Sequence, residues 1–292
     1  MTKVLILGAT GMLGHKLHQV LAPVFDTTGT VRGPYRNISR YDFFQPSRIV
    51  PDVDAVEISR LEKVIEETSP DVVVNCIGVV KSLVEPAGVL AAIWLNSLFP
   101  HQLYRICRAK GVRLIHISTD CVFSGRKGNY REDDPSDAED VYGKTKYLGE
   151  VNEAGALTIR TSIIGRELAG ANGLLEWFLA NQGGSVEGYT NAIFSGFPTL
   201  HLSRIIADII KNHQNLGGIY HISSEPISKF KLLTLINKAM RLNIDIKEYP
   251  DYHVDRSLDS TLYRKETGFI PPSWEEMVEE LAGDAVPYLK WR

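Results

Sequence analysis

Near its N-terminal end the chain carries the stretch Val4-Leu5-Ile6-Leu7-Gly8-Ala9-Thr10-Gly11-Met12-Leu13-Gly14. The apolar beginning is typical of a short strand that is buried on both faces. Leucines at positions 17 and 21 then continue at helical spacing. The three glycines serve a tight turn, the close approach of a diphosphate to the backbone, and the packing of helix on strand. The stretch therefore predicts a strand, a phosphate-binding turn and a helix whose N-terminus faces the phosphates.

The same alternation of strand and helix continues over the first 160 residues. Apolar runs predict further strands near residues 24–31, 72–75, 112–117 and 157–160, and helical patterns cover residues 59–68, 89–110 and about 142–153. Strands that alternate with helices in this way favour a doubly wound parallel sheet of the Rossmann type, in the α/β class. After residue 160 the pattern loosens, although a helix over 202–211 and a strand over 218–222 predict a return to the first sheet.

These patterns predict two domains. Residues 1–160 form a dinucleotide-binding domain to which the chain returns at 199–222. Residues 161–198 and 223–292 form a smaller, discontinuous α/β domain that covers the substrate. A chain of 292 residues is long enough for both.

Composition excludes several classes of protein. The formal charge of −3 gives no signal for binding nucleic acid, and no apolar stretch approaches the length of a membrane span. The first apolar run is too short for a signal peptide, and the three cysteines form no CxxC pair. The three cysteines are expected as free thiols in a reducing cytoplasm. His15 and His18 lack carboxylate or cysteine neighbours, so no metal site is expected.

The end of the second predicted strand bears on the choice of cofactor. A site for NAD usually has an acidic residue there, whereas this chain has Arg32, followed by Arg36 and Arg40, and no acid until Asp42. Guanidinium groups pair with a 2′-phosphate, which a carboxylate would repel. The sequence therefore favours NADPH, with NADH as the alternative. A solvated basic loop would look the same.

Catalytic candidates follow two later strands. Tyr142 and Lys146 stand four apart and share a helix face, where the ammonium could favour the phenolate and lower its pKa. Thr119 lies in a Ser-Thr-Asp turn after a strand, where its hydroxyl could bind a substrate oxygen. Tyr-x-x-x-Lys also occurs by chance on amphipathic helices, and such a turn can be merely structural. Asn96 is either a satisfied core amide or a catalytic-water ligand.

The motifs together resemble the extended short-chain dehydrogenase/reductase superfamily. Within it, the chain is most similar to the dTDP-4-dehydrorhamnose reductase family. The residues that carry the resemblance are the glycine motif, residues 116–125 (HISTDCVFSG), 142–150 (YGKTKYLGE) and 159–162 (IRTS), and the late segment 256–259 (RSLD) with Gly268 and Trp274.

The resemblance implies a cytosolic, two-domain reductase for the C4 ketone of a nucleotide-linked 4-keto-6-deoxy sugar. By this resemblance, Tyr142 is the general acid, Lys146 holds the ribose of the cofactor, and Thr119 helps to hold the ketone. The expected cofactor-binding residues are Gly8, Thr10, Gly11, Met12, Leu13, Gly14, Arg32, Asp54, Cys76, Ile77, Gly78 and Lys146. The expected substrate-binding residues are Asp120, Cys121, Asn191 and Arg256, with Arg256 a candidate for the diphosphate.

Departures from the family pattern limit what the resemblance implies. Some members bind magnesium at a dimer interface through an acid just after the glycine motif, but this chain has His15-Lys16 there. Neither that metal nor that dimer is therefore expected, and the sequence leaves a homodimer open. Cys121 and Ile163 replace aromatic residues near the expected sugar pocket, so a related deoxysugar nucleotide is as good a candidate as dTDP-rhamnose's precursor.

Two other functions remain open at this point. One is a nucleotide-sugar epimerase or dehydratase that recycles tightly bound NAD, for which Asp120 offers an acid. The other is a non-catalytic, cofactor-binding regulatory subunit like that of methionine adenosyltransferase. The presence of Thr119, Tyr142 and Lys146 argues against a regulatory subunit.

Overall fold

A parallel sheet forms the centre of the molecule. The computed structural model describes residues 1–291, except for the side chains of residues 86 and 87. Within this range its seven strands are β1 (Lys3–Leu7), β2 (Asp26–Thr30), β3 (Ile49–Val50), β4 (Val72–Asn75), β5 (Arg113–Ile117), β6 (Ala156–Arg160) and β11 (Gly218–His221). They lie side by side in the order β11-β6-β5-β4-β1-β2-β3, and all their pairings are parallel. The predicted doubly wound α/β fold is confirmed.

Helices cover both faces of this sheet. The α-helices of the described residues are α1 (Met12–Leu21), α2 (Ile58–Thr68), α3 (Val84–Ala87), α4 (Val89–Ala92), α5 (Phe99–Ala109), α6 (Val141–Leu148), α7 (Leu174–Leu179), α8 (Thr199–Asn212), α9 (Lys229–Met240), α10 (Thr261–Thr267) and α11 (Trp274–Ala282). One hydrophobic cluster packs α1 and α8 against one face, and a second packs α2 and α5 against the other. Burial on both faces explains why the strands read as continuous apolar runs.

Short strands after residue 160 make smaller sheets. They are β7 (Ile163–Ile164), β8 (Ser185–Tyr189), β9 (Ala192–Phe194), β10 (Phe197–Pro198), β12 (Ile227–Ser228), β13 (Asp245–Tyr249) and β14 (Val254–Asp255). The chain returns to the central sheet where β11 pairs with β6. The division into two domains stays a prediction. The last residue of the predicted second domain, residue 292, lies outside the described residues.

Three predicted elements differ from the structure. The helix that carries Tyr142 ends at Leu148 rather than near residue 153, and Gly149, its C-cap, lies against the backbone of Asn96. A Cβ at Gly149 would lie 1.8 Å from the Asn96 carbonyl oxygen. The helix expected over 89–110 is α4 and α5 joined by a π-helical turn (Ile93–Leu98). The second strand is shorter than expected, and residues 49–50, which no predicted element covers, form β3.

Candidate active site

The carboxyl ends of β1, β4, β5 and β6 surround one cavity. Parallel strands bring these ends to the same edge of the sheet, which is where open α/β sheets hold their ligands. The cavity has a volume of about 360 Å³. Its lining includes Gly11–Leu13, Cys76–Lys81, Ile117–Cys121, Tyr142, Lys146 and Thr161–Ile163. The structure therefore brings together the three predicted catalytic residues, seven of the predicted cofactor-binding residues (Lys146 belongs to both sets) and two of the predicted substrate-binding residues.

The Tyr142 phenol and the Thr119 hydroxyl line the same cavity, where the hydroxyl acts to lower the pKa of the phenol. Thr119 itself is buried after β5, where its Oγ1 accepts the Cys121 amide at 3.1 Å. Burial raises the pKa of Tyr142, and the neighbouring Cys121, Asp120 and Asp140 raise it further. The sequence argument that Lys146 would lower the pKa of this phenol is therefore wrong for the protein without ligand. Tyr142 keeps its proton and is suited to donate it.

Lys146 reaches the cavity from one turn further along α6. Its ammonium is almost fully buried and donates to the Ile117 carbonyl at 2.7 Å. Burial lowers the pKa of Lys146 to about 8, although Glu150 and Cys76 oppose that shift. A cation with two remaining donors at the cavity wall can hold the hydroxyls of a ribose.

Asp120 and Cys121 form the side of the cavity next to Tyr142. The Asp120 carboxylate accepts from the Thr119 hydroxyl at 3.1 Å, and burial raises its pKa against the opposing charges of Arg256 and Lys229. Burial also raises the pKa of the Cys121 thiol to about 12, so it is neutral at physiological pH. Cys121 therefore contributes shape and polarisability here rather than a thiolate.

The glycine turn fits a dinucleotide. Gly8 has a φ of +79°, in the region where other residues are strained, and a Cβ on Gly14 would lie 2.1 Å from the Gly8 carbonyl oxygen. Gly11 precedes α1 without a side-chain cap, so the first N–H groups of this helix keep their donors for an anion. These features match the diphosphate site of a nicotinamide cofactor, which would lie across this edge of the sheet.

A second cavity, of about 290 Å³, lies beyond the glycine turn. It is lined by Thr10, Arg32 and Arg40, among others, while Arg36 lies outside it. Asp54 lines neither cavity, because its carboxylate accepts the Val56 amide and closes the turn before α2.

Two of the predicted substrate-binding residues lie outside the first cavity. Asn191 donates to the Pro250 carbonyl at 2.8 Å and so holds a surface loop. Arg256 donates from Nε to the Phe123 carbonyl at 2.8 Å, and its charge acts on Asp120. Lys229, at the start of α9, acts on the same carboxylate but carries no motif that the sequence analysis could use.

Buried partners support the catalytic residues, and one of them, Glu150, was not expected from the sequence. Glu150 accepts from Ser118 at 2.7 Å and binds Arg160 through two bonds of 2.8 and 2.7 Å. Asn96 exchanges hydrogen bonds of 2.8 and 3.0 Å with the Val79 backbone, so it is a satisfied amide that fixes the cavity wall. The only hint in the sequence was the i, i+4 spacing of Lys146 and Glu150.

Two further findings concern the described part of the chain. Residues 1–291 contain no group of three His, Cys, Asp or Glu side chains arranged to hold a metal ion. No helix in that range is both long and apolar enough to cross a membrane.

Comparison with known proteins identifies the family. A sequence model described as the RmlD substrate binding domain matches residues 1–286. The chain belongs to this family. It is thus a member of the extended short-chain dehydrogenase/reductase superfamily, an oxidoreductase related to dTDP-4-dehydrorhamnose reductases.

Several relatives can be aligned with this RmlD-family chain. The spore coat polysaccharide biosynthesis protein SpsK of Bacillus subtilis (strain 168) is 28% identical over an alignment of 301 positions. The alignment covers 96% of both chains. The dTDP-4-dehydrorhamnose reductase of Streptomyces griseus is 34% identical, over 50% of this chain and 43% of that protein. Subunit beta of methionine adenosyltransferase 2 from Danio rerio is 29% identical over 82% of this chain and 74% of that protein.

A solved structure shares the fold. The dTDP-4-dehydrorhamnose reductase of Bacillus anthracis str. Ames, in complex with NADP, matches with a TM-score of 0.75 and 23% identity. The match covers 96% of this chain and 99% of that one.

Proposed function

We propose that this RmlD-family protein reduces the C4 ketone of a nucleotide-linked 4-keto-6-deoxy sugar, with NADPH as reductant, in the synthesis of a deoxysugar for a surface polysaccharide. The observation that carries the proposal is the convergence of Thr119, Tyr142 and Lys146 on one cavity that the glycine turn also lines. A hydroxyl, a protonated phenol and a buried ammonium beside a dinucleotide turn are what ketone reduction requires.

A bound nicotinamide would supply the hydride for the carbonyl carbon, and Lys146 would hold its ribose. Tyr142 donates the proton from its Oη to the developing alkoxide, and its raised pKa keeps it protonated until then. The Thr119 hydroxyl, which donates to Asp120 in the absence of ligand, would turn to donate a second hydrogen bond to the same oxygen. The ammonium of Lys146, on the same helix face, would stabilise the tyrosinate that the proton transfer leaves.

Relatives support the reaction class and the cofactor. Names of related proteins include dTDP-4-dehydrorhamnose reductase and a polysaccharide biosynthesis protein, and the Bacillus anthracis structure contains NADP. Arg32 and Arg40 together on the wall of the second cavity favour a 2′-phosphate, hence NADPH over NADH. Arg256, beside Asp120, is proposed to pair with the substrate diphosphate.

The experiment compares Tyr142→Phe with Tyr147→Phe, a matched loss of one hydroxyl on an exposed position of the same helix. NADPH oxidation is followed against a panel of 4-keto-6-deoxy nucleotide sugars. We expect Tyr142→Phe to lose on the order of 100-fold or more in turnover, because general-acid catalysis contributes that much, while it still binds NADPH. Near-wild-type turnover in this variant would exclude the mechanism.

The same assay tests the other functions. An epimerase or dehydratase would convert its nucleotide sugar without net loss of NADPH and would retain nicotinamide on purification; Asp120, a carboxyl with a raised pKa beside Thr119, is the residue that favours it. A regulatory subunit, as the methionine adenosyltransferase relative suggests, would bind cofactor but turn over none of the sugars.

A further inference from the structure

The last turn of the chain is hydrogen-bonded to the glycine turn through one histidine. His15 makes two bonds of 2.8 Å, from Nδ1 to the Gly11 carbonyl oxygen and from Nε2 to the hydroxyl of Tyr288. Next to it, Lys16 forms an ion pair of 2.7 Å with Asp284. We call residues 284–291 the C-terminal clasp. Tyr288 stands 273 positions after His15, yet both are buried.

The direction of these hydrogen bonds follows from the atoms. A carbonyl can only accept, so Nδ1 of His15 carries a proton. Burial lowers the pKa of His15 to about 4, which leaves the ring neutral and makes Nε2 an acceptor. The hydroxyl of Tyr288 must therefore donate to it at 2.8 Å, while the Asp284 carboxylate, 3.3 Å away, is a second and more distant acceptor for the same proton. Burial raises the pKa of Tyr288, as does Asp284, so this donor is protonated at neutral pH.

The Gly11 carbonyl matters because of the peptide plane to which it belongs. It accepts both the His15 amide, at 3.1 Å, and the His15 side chain. In a planar trans peptide the C=O and the following N–H point in opposite directions. Fixing the Gly11 carbonyl toward α1 thus fixes the Met12 N–H toward the opposite side, where Gly11 and Met12 line the cavity. This N–H belongs to the first turn of α1 and has no partner inside the helix.

The clasp is itself held by aromatic packing against the wall of the second cavity. The ring of Trp291 meets that of Tyr41 edge-on at 5.0 Å. The Tyr41 hydroxyl donates to the Leu168 carbonyl at 3.2 Å, and Arg166 stacks on the Tyr288 ring at 4.7 Å. Tyr41 and Leu168 both line the second cavity.

We propose that Tyr288 is a positioning residue: through His15 it fixes the peptide orientation of the glycine turn, and with it the affinity for the diphosphate of the dinucleotide. The proposal rests on the proposed function only in taking residues 8–14 as the cofactor site. It assigns to the end of the chain a role in cofactor binding and none in the hydride or proton transfer, since the clasp does not touch Tyr142 or Lys146.

The test compares Tyr288→Phe with Tyr104→Phe in the full-length protein. Both remove one buried hydroxyl that bonds an acceptor, since Tyr104 donates to the Ala154 carbonyl at 3.1 Å, far from the glycine turn. Hydrogen exchange of the amides of residues 11–14 is measured without ligand, and the Kd for NADPH is measured by titration. In Tyr288→Phe we expect exchange and Kd both to rise about three- to tenfold, as the loss of one hydrogen bond predicts, with kcat at saturating NADPH unchanged.

A double variant shows whether Tyr288 acts through His15. His15→Leu should match or exceed the effect of Tyr288→Phe, and adding Tyr288→Phe to it should change nothing more, because the two residues act as one unit. Additive effects would overturn the proposal, as would unchanged exchange at residues 11–14 in Tyr288→Phe or an equal change in Tyr104→Phe. If the wild-type protein bound no NADPH, the proposed function would fail, while the exchange rates would still decide the role of the clasp.

Discussion

Lys146 changes its charge at a pH only slightly above neutral. Burial lowers its pKa to about 8, and the Ile117 carbonyl is its hydrogen-bond acceptor. The ammonium is therefore fully charged below that pH and loses its proton as the pH rises through it. We predict that the Kd for NADPH increases as the pH rises through about 8, whereas in Lys146→Arg, whose guanidinium stays charged, it stays level. A titration of NADPH at several pH values measures this.

Unfolding does not explain such a loss at high pH. The unfolded chain holds the Lys146 proton up to its ordinary pKa of 10.5, whereas the folded chain releases it near 8. The unfolded state thus binds more protons between these values, and the contribution of Lys146 to the free energy of unfolding increases with pH there. An equal loss of affinity at high pH in Lys146→Arg would contradict the assignment of the effect to this ammonium.

Arg32 decides the preference for NADPH if it pairs with the 2′-phosphate. It is exposed at the wall of the second cavity, so its replacement should leave the fold intact. We predict that Arg32→Glu lowers the ratio of kcat/KM for NADPH to that for NADH by about tenfold or more, because a bidentate pair becomes a repulsion. Arg36→Glu makes the same charge change outside the cavity and should leave the ratio unchanged. An unaltered ratio in Arg32→Glu would mean that other residues recognise the phosphate.

For helices, strands and turns, the sequence predicts those features that depend on the local pattern of residues. Val72–Asn75 is apolar throughout because both of its faces are buried, and its bounds were predicted without error. The glycine turn was recognisable because backbone geometry there restricts the residue type, as the φ of Gly8 shows. The meeting of Thr119, Tyr142 and Lys146 at one cavity was predictable from the sequence. Thr119 follows a strand of the parallel sheet, and Tyr142 and Lys146 share one helix face.

The remaining features depend on contacts between distant parts of the chain. Gly149, where α6 ends, packs on Asn96 of the π-helical turn, 53 positions away in the sequence, and no window of sequence contains such a contact. The pKa of Tyr142 was predicted in the wrong direction because spacing reveals the neighbouring ammonium but not the burial, which has the larger effect. The bond between His15 and Tyr288 carries no motif at all.

For the molecule as a whole, one surface stands out. Large apolar side chains are exposed on α4, the π-helical turn and α6, which contact one another, and on residues 80–83, just before α3. They are Val80, Leu83, Val89, Leu90, Ile93, Leu98, Tyr147 and Leu148, with exposed fractions from 37% to 82%. Monomers rarely expose a contiguous apolar patch of more than a few hundred Å². Among the described residues, Trp94 Nε1 on the π-helical turn and Gln102 Oε1 on α5 are buried without a hydrogen-bond partner.

We predict that this face joins two copies of the chain. Two packed helices with one shared apolar face can pair with an identical face across a twofold axis, and eight such side chains offer several hundred Å², near the roughly 800 Å² per partner of a standard interface. Light scattering of the purified protein at micromolar concentration should give a dimer. Leu90→Glu and Leu148→Glu, at positions 82% and 63% exposed, should give folded monomers, because a charge in the interface would lose its water. Ile270→Glu, at an equally exposed apolar position outside this face, should remain a dimer; a monomeric wild-type protein, or a dimer that survives both leucine substitutions, would contradict the prediction.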